Sequence, residues 1–476
     1  MEEEALPPIL PFFQSSNPKG CKEISETRTL DDPITLCAKK FMNVKGFISV
    51  AVVLGVGVVL FVLYQSEASE KNSLLIFTLL PTSEKGSLEE GFFHKKTAGG
   101  YLNGSRLVSM TLDKTDGKVR ELSRGFLIAS DPYVSYDGRW LLFAAKRTEN
   151  EPLQIYQMQI DGSRLKPVTR STSDSAEPCY LPDGRIVFSS SPQPTVGNPS
   201  QAQDQSSLFT CNLDGSQMER ITFFNSFDRA LTVLHDGRIL FMRKLLNSEE
   251  EMLMTINPDG TGVQRFVDFR SLKDFGSLEG EKPSTKLPSG KLAVSYHPSK
   301  SRTYGLYEFD PVNHQMGKRL YENPDFHAIQ PVMTMRSIKP KILTSVVNKE
   351  KQTGRLLCLN AYLSQIPLVA ASASKPGRVQ LLEAQSGQLL GEAPIAVDGS
   401  FYVEAPADRL LKLRIVGVQG QVLATLESGI WVRPNETRGC IGCHEDPGLA
   451  PENTIPMAVQ KPPVVLGGGG TKTGDR

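Results

Sequence analysis

Charge of one sign, cysteine and the familiar catalytic strings are all scarce in this sequence. Across 476 residues, 53 lysines and arginines offset 52 aspartates and glutamates, so the formal net charge is +1. A chain this balanced lacks the basic footprint of nucleic-acid binding. Seven cysteines are too few for a disulfide scaffold. The absence of G-x-S-x-G, H-E-x-x-H and P-loop strings leaves a hydrolase with little support.

One long uncharged run lies near the N-terminus. Residues 46–64 are apolar, and 19 residues at about 1.5 Å each match the thickness of a bilayer core. Lys40 and Lys45 precede the run, and such a basic excess predicts a cytoplasmic N-terminus. We therefore expect a disordered cytoplasmic tail over residues 1–45 and one transmembrane helix over residues 46–65.

This interpretation predicts a single-pass protein of a bacterial inner membrane, with its C-terminal domains in the periplasm. A cleaved signal peptide is one alternative, which the long charged leader disfavours. A buried core helix is another, which the lack of a polar face disfavours.

A turn phrase followed by a strand-like run recurs after the membrane segment. Its glycines are 46, 53 and 53 residues apart, and a second series of Asp-Gly turns interleaves with it. Glycine supplies the positive φ of tight hairpin turns, and two hairpins per period make a four-stranded blade. The first series is Asp137-Gly138, Asp183-Gly184, Asp236-Gly237 and Ser289-Gly290, and the second is Asp116-Gly117, Asp161-Gly162, Asp214-Gly215 and Asp259-Gly260.

The repeats predict an all-β chain with a five- or six-bladed β-propeller over residues 72–330, and they resemble the WD40-like repeats of bacterial periplasmic proteins. A β-sandwich with recurrent hairpins is the alternative. Residues 335–435 keep short strand-like runs but lose the blade period, which predicts a small β-sandwich-like middle domain. A haem-attachment segment over residues 436–460 and a flexible, glycine-rich tail over residues 461–476 complete the predicted organisation.

The clearest chemical signal is a Cys-x-x-Cys-His string at Cys440, Cys443 and His444. Two thiols at this spacing add across the vinyl groups of haem, and the adjacent histidine becomes an axial ligand of the iron. The string predicts one covalent haem c. A structural zinc site would need a second ligand pair, and a dithiol oxidoreductase motif normally opens a helix in a βαβ unit, so both alternatives fit less well.

The second axial ligand is not specified by the string. Met457, 13 residues after His444, is a candidate for a distal thioether ligand. His297, His314 and His327 are further candidates, and an open sixth position is an equal alternative.

Three residues close to the string are candidates for contacts with the haem. We expect Trp431 to pack on the porphyrin edge, and Arg433 and Arg438 to pair with the propionates. Ordinary surface roles for all three are the alternative.

Five strings in the second half of the chain are distinctive: residues 327–332 (HAIQPV), 354–360 (GRLLCLN), 398–403 (DGSFYV), 430–434 (IWVRP) and 440–446 (CIGCHED). Together they resemble the α subunit of hydrazine synthase, in its propeller and middle domain. The resemblance covers about residues 72–460 and implies a six-bladed propeller followed by a β-rich middle domain with one covalent haem.

The resemblance does not imply hydrazine synthesis. That subunit has a further C-terminal domain with a second haem, which we expect this sequence to be too short to hold. In that subunit a tyrosine four residues after the motif histidine ligates the iron, and this chain has Gly448 there.

The function expected from these features is that of a membrane-anchored, periplasmic monohaem cytochrome. It would transfer electrons within a redox complex, with the propeller as the docking platform for protein partners or other subunits. A haem enzyme acting on a small nitrogen or oxygen species at an open iron site is the alternative. A structural subunit with a vestigial haem is a third possibility.

Overall fold

The structure is a computed structural model. It describes residues 73–82, 101–112, 118–191, 205–224, 226–245, 251–266, 284–299, 301–363, 375–426, 429–441 and 454–467. The predicted cytoplasmic tail and transmembrane helix lie outside these ranges. Within them, no helix is long and apolar enough to cross a membrane.

The region before residue 334 folds into five four-stranded sheets of antiparallel strands. Sheet I has the strand order β20-β1-β2-β3, and sheets II to V follow in chain order. The strands are β1 (Leu74–Pro81), β2 (Arg106–Thr111), β3 (Arg120–Glu121), β4 (Ile128–Val134), β5 (Trp140–Lys146), β6 (Gln154–Gln159), β7 (Lys166–Pro167), β8 (Ser175–Tyr180), β9 (Ile186–Ser190), β10 (Ser207–Cys211), β11 (Glu219–Arg220), β12 (Ser226–Val233), β13 (Ile239–Leu245), β14 (Glu251–Ile256), β15 (Gln264–Arg265), β16 (Ser284–Lys286), β17 (Leu292–Tyr296), β18 (Gly305–Asp310), β19 (Gln315–Tyr321) and β20 (Phe326–Met333).

The first strands of these sheets form a continuous series of contacts. Strands β20, β4, β8 and β12 contact one another in turn, and β16 contacts β20. Apolar side chains fill the spaces between neighbouring sheets. Strand β20 pairs antiparallel with β1, with Leu80 opposite His327, so the end of the region joins the sheet that its beginning formed. The all-β prediction is confirmed, and the arrangement is propeller-like, with five such sheets among the described residues.

The predicted Asp-Gly turns within the described residues join consecutive antiparallel strands. Gly138, Gly184 and Gly237 have φ of 73°, 96° and 95°, a region that side chains with a Cβ avoid. In each turn an aspartate Oδ1 accepts a hydrogen bond from the backbone N–H two residues later, as Asp183 does from Arg185 at 3.0 Å. The local sequence therefore fixes these hairpins.

The inner strands of sheets I, II and III share a bulge at a polar residue followed by proline. Gln330, Asp131 and Glu177 occupy these positions with φ of 56°, 57° and 54°, and the ladder loses register there. Such strain costs about 1–3 kcal/mol per residue. Buried hydrogen bonds offset it, because Asp131 accepts from Gln330 and from Tyr101, and Glu177 accepts from Arg229 at 2.6 Å.

Residues 353–467 form two further four-stranded sheets around one core. Sheet VI has the order β27-β21-β24-β28 and sheet VII the order β23-β22-β25-β26. Buried side chains from both sheets pack together in a single cluster, which is the architecture of a β-sandwich. The strands are β21 (Thr353–Cys358), β22 (Pro376–Glu383), β23 (Leu389–Pro394), β24 (Phe401–Pro406), β25 (Leu411–Gly417), β26 (Val422–Thr425), β27 (Thr437–Cys440) and β28 (Val464–Val465), with a 3-10 helix at Met457–Gln460.

The linker between β20 and β21 runs over the hairpin turns of the propeller-like region. Ser337 donates its N–H to the carbonyl of Tyr136 at 2.9 Å, and Lys341 donates to the carbonyl of His235 at 3.3 Å. A Cβ added at Gly237 would lie 2.3 Å from the Lys341 carbonyl oxygen. Glycine at this turn therefore permits the linker to pack against the propeller-like region.

Two turn glycines with the same backbone conformation test this packing. Gly184→Ala introduces only backbone strain, about 1–2 kcal/mol, because nothing lies within 4 Å of the added Cβ. Gly237→Ala should destabilise the protein by about 1–3 kcal/mol more, because the methyl group collides with the linker. Urea unfolding of both variants measures the difference, and equal losses of stability would contradict the packing of the linker.

Candidate functional site

Cys440, the first cysteine of the predicted haem motif, ends strand β27 at one edge of sheet VI. The strand runs parallel to β21, and Cys440 lies opposite Cys358. Its carbonyl accepts a hydrogen bond from the N–H of Leu359 at 2.8 Å, and the carbonyl of Ile441 accepts from Asn360 at 3.0 Å. The Cys440 side chain is half-buried against the sandwich core. The first thiol of the motif, which is the predicted attachment thiol, is therefore held on a regular strand.

Cys443 and His444, the other two motif residues, lie outside the described residues. The chain is described again from residue 454, where it returns to the same end of sheet VI. There the N–H of Met457 donates to Asp398 Oδ2 at 2.7 Å, and the N–H of Ala458 donates to Ser400 Oγ at 2.9 Å. Both ends of the motif segment are thus anchored at one end of one sheet.

Met457, the predicted distal ligand, begins the 3-10 helix with its side chain 47% exposed. Its ligand role stays a prediction. Further exposed apolar side chains surround this end of the sheet. They are Tyr362, Leu363, Ile455 and Val459.

Trp431 is completely buried in the contact between the sandwich and sheets III and IV. Its ring lies 4.9 Å from the ring of Phe224, edge to face, and joins the apolar cluster between those sheets. The guanidinium groups of Arg243 and Arg438 lie 5.5 and 5.6 Å from the same ring. Arg438 also donates to the Trp431 carbonyl at 3.0 Å.

Arg433 is 1% exposed and joins the sandwich to two sheets of the propeller-like region. Its guanidinium donates to Glu219, to Asp408 Oδ1 at 2.6 Å and to the carbonyl of Asp259 at 2.9 Å. The carboxylate of Glu436 accepts from the Arg433 backbone N–H at 2.7 Å. The surface alternative is thus wrong for Trp431 and Arg433, and the porphyrin and propionate contacts of Trp431, Arg433 and Arg438 stay predictions.

Burial also changes the ionisation of this contact region. It raises the pKa of Glu436 above its usual value, and raises that of Asp408 although Arg433 acts in the opposite direction. Burial lowers the pKa of Arg438. Each group has polar partners: Glu436 accepts from the N–H groups of Arg433 and Gly262, Arg438 donates to the Trp431 carbonyl, and the partly exposed Asp408 pairs with Arg433.

The three histidines considered as distal ligands all lie in the propeller-like region. His297 and His314 are exposed. His327, on β20, is buried, and its Nδ1 accepts a hydrogen bond from the Tyr304 N–H at 3.1 Å. Burial, helped by repulsion from His297, lowers the pKa of His327 to about 4.

A cavity of about 890 Å³ opens between the sandwich and sheet III. Thr353 and Pro406, at the far end of sheet VI from Cys440, line it together with Glu219 and Asp408. Strand β21 has six residues, so this end lies about 17 Å from Cys358. The cavity therefore borders the ion pairs of Arg433, at a distance from the attachment thiol.

The second half of the chain is similar in sequence to known proteins. Residues 334–445 match the family model described as the hydrazine synthase alpha subunit middle domain. Hydrazine synthase subunit alpha of Kuenenia stuttgartiensis is 32% identical over 115 residues. Over these residues the chain is similar to the hydrazine synthase alpha subunit. The matched residues are 24% of this chain and only 13% of that relative.

The hydrazine synthase α-like fold extends beyond the sequence match. The solved structure of Kuenenia stuttgartiensis hydrazine synthase has a TM-score of 0.68 and 18% identity to this chain, and the match covers 83% of this chain and 72% of that one. At this identity the likeness shows the fold alone. The resemblance predicted from the five strings is confirmed.

The ion pairs of Arg433 are a feature that sequence reasoning missed, because 214 residues separate Arg433 from Glu219. Arg433→Gln should destabilise the protein by about 2–4 kcal/mol, since it leaves partly buried carboxylates without their cation. Lys349→Gln is the matched control. It removes an exposed partner of the same Glu219 and should cost less than about 1 kcal/mol. Urea unfolding measures both, and similar losses would contradict the central role of Arg433.

The lowered pKa of His327 predicts that the protein loses stability in acid. Because its folded pKa of about 4 is below the ordinary value of 6.5, only the unfolded chain binds the proton between these pH values. Stability should therefore fall by up to about 3 kcal/mol between pH 6.5 and 4, at about 1.4 kcal/mol per pKa unit. His327→Gln should flatten this dependence in urea unfolding at pH 7, 5.5 and 4, and the exposed-site control His235→Gln should not. An unchanged slope in His327→Gln would overturn the assignment.

Proposed function

We propose that this protein is a monohaem c-type electron-transfer protein that serves as a subunit of a redox complex. The observation that carries the proposal is the position of Cys440, fixed at the end of a regular strand within the hydrazine synthase α-like middle domain. Residues 46–65 would anchor the chain in a bacterial inner membrane, with the described domains in the periplasm. The uncharged run and the preceding lysines support this placement.

The residues around the motif fit a covalent haem. Cys440 and Cys443 would form the thioether bonds, and His444 would be the proximal ligand of the iron. Among the described residues, a Cβ added at Gly439, beside the first thiol, would meet nothing within 4 Å. The exposed apolar side chains at this end of sheet VI are suited to cover part of a porphyrin. When bound, the haem supplies reversible one-electron chemistry.

The role of the polypeptide in this proposal is to hold the haem in a fixed place. Backbone hydrogen bonds fix Cys440 on sheet VI, and the Met457 segment is tied to Asp398 at the same end. Trp431 and Arg433 join the sandwich to the propeller-like region. A partner bound to that region would therefore meet the haem in a defined orientation, and rigid placement suits electron transfer between proteins.

The partners proposed are redox proteins or further subunits of the same complex. The similar Kuenenia stuttgartiensis protein is by name a subunit, which supports this choice. The alternative, catalysis on a small molecule at an open iron site, would need a pocket beside the iron. The 890 Å³ cavity lies at the opposite end of sheet VI, so it does not support this alternative.

Covalent haem staining and absorption spectra of the purified full chain test the proposal. We expect a haem that remains on the denatured chain, and its loss in the double variant Cys440→Ala and Cys443→Ala, because both thioether bonds are removed. Cys211→Ala, which removes a buried thiol of strand β10, is the matched control and should retain the haem. A wild-type chain without covalent haem would overturn the proposal.

Carbon monoxide distinguishes electron transfer from catalysis in the same samples. We expect the reduced α and β bands to ignore carbon monoxide, since an electron-transfer haem has both axial positions filled. If Met457 is the distal ligand, Met457→Ala should make the bands respond. Bands of the wild-type protein that shift with carbon monoxide would favour the enzyme.

A further inference from the structure

Cys358 lies next to the first haem-attachment cysteine. It ends strand β21, and the parallel pairing places it opposite Cys440, which ends β27. Burial alternates along β21, where Leu356 and Cys358 face the core. Cys440 also packs against that core. The two side chains therefore lie on the same face of sheet VI.

The spacing of this pair suits a disulfide. Neighbouring strands lie about 4.8 Å apart, and disulfides join Cα atoms about 4.4–6.8 Å apart. The other described cysteines differ in this respect. Cys179 is on β8 and Cys211 on β10, with β9 between them, so their Cα atoms are separated by about 9–10 Å.

We propose that Cys358 and Cys440 form an intramolecular disulfide before haem attachment, and that this bond blocks the thioether bond at Cys440. The disulfide itself follows from the register of β21 and β27. Its effect on haem attachment rests on the function proposed above. Cys358 is thus a redox-sensitive regulator of the attachment site.

The difference in burial between the two thiols sets the order of reaction with a disulfide oxidant such as oxidised glutathione. Cys440 is half-buried and accessible, whereas Cys358 is 1% exposed. The Cys440 thiolate attacks the oxidant, forms a mixed disulfide and releases one glutathione thiol. The Cys358 thiolate then attacks the Cys440 sulfur and releases the second. Two protein thiols are oxidised, one disulfide oxidant is reduced to two thiols, and two protons leave with the products.

The consequence concerns haem loading. Addition of a thiol across a vinyl group requires the thiol, so a chain with this disulfide can form the thioether bond only at Cys443. Attachment at Cys440 then requires a thiol reductant that opens this disulfide. Removal of Cys358 should remove the need to open it.

The disulfide is tested on the full chain produced without haem, by oxidation with oxidised glutathione, alkylation and non-reducing peptide mapping. We expect the Cys358 peptide to be joined to the peptide that contains Cys440 and Cys443. The link should persist in Cys443→Ala and disappear in Cys440→Ala. Alkylated Cys358 in the oxidised wild-type chain, or a link that persists in Cys440→Ala, would overturn the inference.

Haem loading of reduced and oxidised chains tests the consequence. Oxidised Cys443→Ala protein should form no thioether bond at Cys440, because the buried link to Cys358 is retained after a brief glutathione wash. In the double variant Cys358→Ala and Cys443→Ala, the wash removes the accessible mixed disulfide at Cys440, so the oxidised and reduced chains should load equally. The retained volume of Cys358→Val provides a second variant if alanine destabilises the core. If the reduced wild-type chain takes up no haem, the proposed function fails while the mapped disulfide stands. If it takes up haem and no link is found, this inference alone fails.

Discussion

The arrangement of the propeller-like region and the sandwich depends on the hydrogen bonds and ion pairs of the buried Arg433 guanidinium. Its donors reach Glu219 on sheet III, the carbonyl of Asp259 at the β14–β15 turn and Asp408 of the sandwich. A planar fork with five donors can satisfy such divergent acceptors, and the shorter point charge of lysine cannot. Because the group is enclosed, every partner must be present to offset its loss of water.

The position of the attachment thiol follows from this interaction. Only a few residues separate Arg433 from strand β27, and Glu436 ties the intervening turn to the Arg433 N–H. A Cβ at Gly354 would lie 2.5 Å from the Arg433 carbonyl, so glycine permits β21 to approach this segment. The ion pairs that join the regions therefore also fix the start of the strand that ends in Cys440.

Local chemistry explains which features could be predicted from the sequence. Each Asp-Gly turn contains a carboxylate that accepts a backbone hydrogen bond and a glycine that adopts positive φ. The spacing of these turns along the sequence therefore predicts the hairpins and the four-stranded sheets. The Cys-x-x-Cys-His string likewise carries its chemistry within five residues. The pairing of β27 with β21 has no such signal, because a parallel pair has no connecting turn.

Trp431 and Arg433 show the limit of reasoning from sequence proximity. They lie a few residues before Cys440, and the sequence left a surface role open for both, yet the chain buries them against sheets III and IV. The partners of Arg433 on sheets III and IV lie more than 170 residues away, and long-range burial of this kind leaves no periodic trace. The register that places Cys358 opposite Cys440 likewise depends on a long-range parallel pairing and has no local signal in the sequence.

The same sheet holds both described ends of the motif segment. The segment leaves sheet VI from β27 at one edge and returns to β28 at the other, and both are parallel to their neighbours. Closing a loop whose ends are already fixed costs less conformational entropy than ordering a free chain. The two short edge strands thus fix the described ends of the motif segment on one sheet. In the proposed function this arrangement would lower the entropic cost of haem attachment, which would begin at the half-buried Cys440 thiol at the end of β27.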